Sequence, residues 1–254
     1  MTSIVLLGFG NVSFNLIKTL ANRSEINVLQ VYNRSEIYLD KALGHIAFTT
    51  DLLKIKEADL YIIAIPDDSI ASFSEKLPFK NKLVVHTSGS VSMDALSDKN
   101  RKGVFYPLQT FSKNKEANFT SIPICIEAAA VNDLKLLISL GKSISEKVVE
   151  IDSKERSKLH LAAVFVNNFV NHLYAIGDQI LNSNKLPFDL LQPLIEETAS
   201  KIKTLTPSQA QTGPARRGDQ KTIEKHLHLL QEGPLSDLYK QLTKSITNTK
   251  NTDS

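Results

Sequence analysis

Three groups of residues in this chain have the types and spacing to do chemistry. The first is Gly8-Phe9-Gly10-Asn11-Val12-Ser13, which follows an apolar run at 3–7 and opens an amphipathic stretch at 11–21. Between a strand and a helix, Gly8 permits a tight turn and Gly10 lets backbone approach a diphosphate. The helix N-terminus then adds N–H donors and the positive end of its dipole. Serine stands where the fingerprint has a third Gly or Ala, and the pattern alone also fits a plain strand-to-helix turn. The second group is His160, Val164, Asn167 and Asn171, spaced i, i+4, i+7, i+11. Seven residues bring a helix back to within about 20° of its starting direction, so these positions form one stripe. A histidine and two asparagines in an apolar helix need partners, supplied either by a buried network or by a ligand in a pocket. Asn168 and His172 fall on the adjacent stripe. The third group is Gln209-Ala-Gln211-Thr212-Gly213-Pro214-Ala215-Arg216-Arg217-Gly218-Asp219. Its arginines could grip a carboxylate or phosphate with two hydrogen bonds, or the segment is an interhelix loop with Asp219 capping the next helix.

The run Val31-Tyr32-Asn33-Arg34-Ser35 lacks the acid that NAD-preferring proteins place about 20 residues beyond the glycines. Asn33 is neutral, and Arg34 with Ser35 could pair with a 2′-phosphate, so NADP (NADPH) is the expected cofactor; the alternative is a solvated surface arginine. Pro66-Asp67-Asp68-Ser69 and His86-Thr87-Ser88-Gly89-Ser90 come after two further strand-like runs, at the carboxyl ends where open α/β sheets bind ligands. Asp67 and Asp68 also suit the start of a helix, and His86 an ordinary hydrogen-bonded core position. The candidate cofactor-binding residues are therefore Gly8, Phe9, Gly10, Asn11, Val12, Asn33, Arg34, Ser35, Ile65, Pro66, Asp67, Thr87 and Ser88. The candidate catalytic residues are His160, Asn167 and Asn171. Gln109, in the aromatic loop Phe105-Tyr106-Pro107-Leu108-Gln109-Thr110-Phe111, joins Gln211, Thr212 and Arg216 as candidate substrate contacts. His226 and His228 lie on different helix faces without acidic or cysteine companions, and no metal is expected.

These residues need elements to position them. Short β-branched runs at 3–7, 27–32, 60–65, 83–86, 103–106 and 123–127 alternate with helix-sized segments at 11–21, 37–43, 69–76 and 132–143. That alternation predicts βαβ units and a mainly parallel sheet. The run 60–65 is apolar throughout, as a strand covered on both faces should be. After Ile151 the strand signal fades. A long helix is predicted from a cap at Asp152 or Ser153 to about residue 182, roughly 45 Å at 1.5 Å per residue, with Gly177 as its weak point. Helices at 188–204, 220–231 and 235–246 and a frayed tail at 248–254 complete the chain. The expected fold is α/β: a Rossmann-type, mainly parallel domain at 1–151 followed by an all-α domain at 152–254.

At 254 residues and 28.2 kDa the chain suits one large domain or two smaller ones. Its 42% hydrophobic and 22% charged residues are an ordinary globular mix, which excludes pervasive disorder. A net charge of +3, from 30 basic and 27 acidic residues, is too balanced for an obligate nucleic-acid binder. No apolar run approaches the ~20 residues of a membrane span. The first residues lack a basic leader and a cleavage site, and the single Cys125 fits a reducing compartment; a cytoplasmic location is expected.

Several segments together resemble a bacterial group. They are Gly-Phe-Gly-Asn-Val, Tyr-Asn-Arg-Ser, Pro-Asp-Asp, His-Thr-Ser-Gly, Tyr-Pro-Leu-Gln-Thr-Phe, Leu-His-Leu-Ala-Ala-Val-Phe, Pro-Leu-Ile-Glu-Glu-Thr-Ala and Gln-Thr-Gly-Pro-Ala-Arg-Arg-Gly-Asp. That group joins a Rossmann-like NADP domain to a helical domain of unassigned function. It lies in the wider clan of 6-phosphogluconate dehydrogenase, β-hydroxyacid dehydrogenase, pyrroline-5-carboxylate reductase and deazaflavin-dependent NADP oxidoreductase. The likeness covers about residues 2–246. It implies a helical domain like the C-terminal domain of 6-phosphogluconate dehydrogenase, which dimerises in many relatives, and an NADP-dependent oxidoreductase activity. The β-hydroxyacid dehydrogenases carry a catalytic lysine three or four residues before an asparagine. Here Ala163 and Val164 precede Asn167, and Asn167 and Asn168 precede Asn171, so that lysine is absent.

The expected function is hydride transfer between NADPH and a small carbonyl, hydroxy acid or imine. His160 would serve as the acid, since an imidazole exchanges protons near neutrality. Asn167 and Asn171 would hold the polar group, and the loop 211–217 would close the site, from the same or a partner subunit. The expected partners are a small-molecule substrate and a second copy of the chain, with no nucleic acid and no membrane. The alternative is a non-catalytic dimer that senses NADP(H).

Overall fold

A computed structural model of the protein describes residues 1–37 and 43–250. Eight strands form one sheet: Thr2–Leu7 (β1), Ile26–Tyr32 (β2), Ala47–Thr49 (β3), Leu60–Ile63 (β4), Leu83–His86 (β5), Arg101–Pro107 (β6), Ile124–Ala128 (β7) and Val148–Glu150 (β8). Their order is β3-β2-β1-β4-β5-β6-β7-β8, with every pair parallel except β6 and β7. Strand order reverses between β1 and β4, and this reversal opens a crevice at the carboxyl ends of the two central strands.

The strand period of two sorts the core into two faces. Ile4 and Leu6 of β1 pack with Leu16, Ile17 and Leu20 of α1 (Asn11–Leu20) on one side. Val5 and Leu7 join Tyr61 and Ile63 of β4 and Ile70 of α2 (Asp67–Glu75) on the other. Leu137 and Leu140 of α3 (Val131–Ile144) extend the first face. All four residues of β4 are buried, because helices cover that strand on both sides. Each such leucine or isoleucine contributes about 1.5–3 kcal/mol by leaving water. Two three-residue strands, β3 and β8, carry no sequence period of their own; each exists by pairing with a longer neighbour. The helix expected at 37–43 falls on residues 38–42, which lie outside the described residues, as do 251–254 of the expected frayed tail.

The chain forms two compact units, Met1–His172 and another from Leu173 onward. Strands end at Glu150, near the boundary expected at 151, but the first unit continues through α4 (Ser153–Ala163) because that helix is bound to the sheet. Asp152 caps α4 in a capping box with Glu155. Arg156, 1% exposed, pairs with Glu127 of β7 and donates to the Val91 carbonyl at 2.5 Å. The Ser153 hydroxyl donates to Glu127 at 2.8 Å and accepts from the Met93 N–H at 3.0 Å. Beyond α4 the predicted single helix is interrupted by a π-helical segment, Val164–Phe169, before α5 (Val170–Ser183).

The second unit takes in most of α5 and then α6 (Gln192–Lys201), α7 (Pro207–Ala210), α8 (Pro214–Arg217), α9 (Gln220–Leu230) and α10 (Pro234–Lys250). Asp219 caps α9 by accepting from the Thr222 N–H at 3.1 Å. His226 on α9 bonds the Tyr239 hydroxyl on α10 at 2.9 Å. Among the described residues no helix is long and apolar enough to cross a membrane.

Candidate active site

The turn from β1 into α1 is built to receive an anion. Gly10 caps α1 with no side-chain hydrogen bond, which leaves the first N–H groups of the helix to a ligand or to water. Gly8 has φ +108°, and a Cβ there would sit 2.4 Å from the Ala64 carbonyl oxygen. Only glycine allows the turn to lie so close to β4. Ser13, fully buried, donates its hydroxyl to the Gly8 carbonyl at 2.7 Å and so closes the turn from inside. Residues 8–12 share a cleft with Asn33, Ile65, Pro66, Asp67, Thr87 and Ser88. A neighbouring groove of about 490 Å³ also includes Gly8, Asn33, Ile65 and Pro66, and is lined by Tyr32, Phe73 and two cations, Arg34 and Lys76. The bare helix terminus, the close glycine turn and this groove fit a dinucleotide.

Several neighbours hold the cleft in shape. The Asn33 amide donates to the Ser35 carbonyl at 2.8 Å, fixing the turn after β2. Asp67 accepts from the hydroxyls of Ser88 at 2.8 Å and Ser90 at 2.5 Å, joining the segments that follow β4 and β5. In the first turn of α2 its charge also complements the helix dipole. His86 lies beneath, wholly buried, with Nδ1 accepting from the Ser88 N–H at 3.2 Å. Burial, reinforced by the Arg156 charge, pushes its pKa down to about 4, so it is neutral near pH 7.

A second cavity of about 570 Å³ lies against α4 and the π-helical segment. It presents His160, Asn167, Asn168, Gln109 and Thr110 among apolar neighbours that include Val166 and Leu159. Tyr106, at the end of β6, lines it too, and its hydroxyl is 3.1 Å from His160 Nδ1. Burial pushes the Tyr106 phenol up to about 12, so it keeps its proton. Gly89 supports the pair from behind: a Cβ there would lie 2.6 Å from His160 Nδ1 and 2.8 Å from Tyr106 Cζ. Asn11 and Val12 line both this cavity and the dinucleotide cleft, so the two cavities meet at the start of α1.

The family described as Domain of unknown function (DUF2520) matches residues 122–246. A crystal structure from Bacteroides fragilis, provisionally named an NADP oxidoreductase, is 41% identical, with 97% of this chain and 98% of that one covered and a TM-score of 0.89. The chain belongs to this family. A Thermotoga maritima protein shares the fold at 20% identity and TM-score 0.75, covering 98% and 99% of the two chains. So does a Plasmodium falciparum pyrroline carboxylate reductase solved with NADP bound, at 14% identity and TM-score 0.57, covering 97% and 98%. No curated protein sequence matches the chain. The fold is thus the Rossmann-type fold of oxidoreductases followed by a helical region.

In this family member the cofactor candidates gather at one sheet edge. Gly8, Phe9, Gly10, Asn11, Val12, Asn33, Ile65, Pro66, Asp67, Thr87 and Ser88 line the cleft, and Arg34 lines the adjoining groove. Ser35 lines neither and instead receives the Asn33 amide. His160, Asn167 and Gln109 share the second cavity; Asn171 does not line it, and Asn168 does. The π-helical segment explains this exchange, since i→i+5 bonding puts an extra residue into the turn and rotates the residues beyond it. Gln211, Thr212 and Arg216 lie in the second unit, where Gly213 with φ +102° and Gly218 with φ +73° shape the loop around α8. Sequence reasoning passed over Tyr106, Gly89, Arg156 and Glu127 as site residues. One signal was available: Arg156 stands four residues before His160, on the same helix face.

Proposed function

We propose that this protein is an NADP-dependent oxidoreductase acting on a small carbonyl or imine, with His160 supplying the proton. The observation that carries the reading is that the dinucleotide cleft and the His160 cavity share Asn11 and Val12. The reduced nicotinamide supplies hydride when bound. The N–H groups at the start of α1 hold the diphosphate, and Arg34 pairs with the 2′-phosphate, with Lys76 adding charge to the same groove. Reduction of C=O or C=N leaves an electron pair on oxygen or nitrogen, and His160 is placed to protonate it. Asn167, Asn168 and Gln109 orient the substrate's polar group.

The protein works, in this reading, as a homodimer through its helical region. Leu190 and Leu194 are each 63% exposed and Leu229 79%, apolar surface that a partner copy would cover. The buried, unpaired Cys125 supports a reducing, cytoplasmic setting.

The deciding experiment is a screen of keto acids, aldehydes and cyclic imines with NADPH and NADH, monitored by nicotinamide absorbance. The expected result is turnover with NADPH preferred and lost in His160→Ala. Tight NADPH binding without turnover of any candidate would instead favour a sensor, and equal NADPH and NADH affinities would end the NADP assignment.

A further inference from the structure

The Tyr106–His160 contact decides which face of the imidazole the cavity meets. A phenol is the better donor of the two groups and a neutral imidazole nitrogen the better acceptor. Nδ1 of His160 is the hydrogen-bond partner of the Tyr106 hydroxyl among the described residues, at 3.1 Å. A ring contact supports the geometry: the two rings meet edge to face at 72° with centroids 6.1 Å apart. Gly89 leaves no room for either ring to swing back, because even a methyl group there would overlap both. Arg156, one turn earlier on α4 and bonded to Glu127 and Val91, fixes the helix that carries the histidine.

We infer that Tyr106 is a positioning residue that locks neutral His160 in its Nε2–H tautomer, so that the cavity is met by a hydrogen-bond donor and selects substrates presenting an acceptor atom. With Nδ1 accepting from Tyr106, the ring's proton must reside on Nε2. Protonation of the ring merely reverses the Tyr106 bond, and Nε2–H stays a donor in both charge states. Carbonyl oxygens and imine nitrogens offer a lone pair to that donor, whereas a group with donors alone, such as an ammonium, would face another proton. The substrate-selection half of this inference rests on the oxidoreductase reading, while the tautomer half stands apart from it.

The two halves separate experimentally. Long-range ¹H–¹⁵N spectra of ring-labelled protein, recorded at alkaline pH and assigned with His160→Asn, report the tautomer without any turnover. Wild type should show Nε2 protonated, by about tenfold over Nδ1 for one such hydrogen bond. Tyr106→Phe should bring the two ring shifts toward each other, and Gly89→Ala should do the same by displacing the ring. Thermal melts of both variants show whether the fold is kept. A wild-type ring protonated at Nδ1, or shifts unmoved in a folded Tyr106→Phe, would overturn the tautomer lock. A confirmed tautomer with no NADPH binding in titration would leave the lock standing and end the oxidoreductase reading.

Discussion

In the cleft beside α1 most of the groups open to a ligand are backbone: uncapped N–H groups of α1 and a glycine turn pressed against Ala64. At the His160 end they are side chains on a helix, aimed by a buried arginine and backed by a glycine. Backbone recognition needs only a local turn of the right conformation, so it is written in a few consecutive residues. Side-chain recognition needs a rotamer, a tautomer and a helix position, and those come from partners tens of residues away. The first end should tolerate most side-chain substitutions around it, and the second should fail when a distant support is removed.

The sharpest separation comes from His160 itself. His160→Gln should lower kcat by about 10²–10⁴, the usual worth of a positioned acid, while NADPH affinity from fluorescence titration stays within about twofold. Comparable losses in both measurements would show that the two ends are not independent. Arg156→Met should cost about 3–5 kcal/mol in urea unfolding, because it strands Glu127 without its partner. Pairing it with Glu127→Gln should restore much of that stability, and the double variant should still bind NADPH.

His86 tests the layer beneath both ends. Its pKa is about 4 in the folded protein against an ordinary 6.5. Above pH 6.5 neither state carries a proton there, and the stability is complete. As pH falls from 6.5 to 4 the unfolded chain takes up a proton that the buried ring refuses, removing up to about 3 kcal/mol. His86→Asn, which can keep an acceptor for the Ser88 N–H, should flatten that part of the melting-temperature profile. An unchanged acid limb would mean that the ring ionises in place. The smallest effect is expected from Arg34→Ala: NADPH should weaken by about 10- to 100-fold, as befits one charge-assisted contact to a phosphate, with NADH unaffected.

Much of the sheet was readable because its strands are long enough to show a pattern. β1, β2, β4, β5, β6 and β7 were each expected to within two residues at both ends. The three-residue β3 and β8 were not, since so short a segment is recruited by its neighbour rather than by its own propensity. The π-helical segment left no mark in Val-Phe-Val-Asn-Asn-Phe, and without it the helix period placed Asn171, not Asn168, beside His160.

From its residues alone the chain determined a βαβ sheet, a glycine turn at its edge and a helical continuation, because each arises from local conformational preference and hydrophobic period. Tertiary structure alone decided that Tyr106 meets His160 across 54 positions, that Gly89 stands behind them and that Arg156 anchors their helix. Those contacts form where a sheet edge, a loop and a helix converge, and no periodicity within one element encodes what a neighbouring element will bring to it.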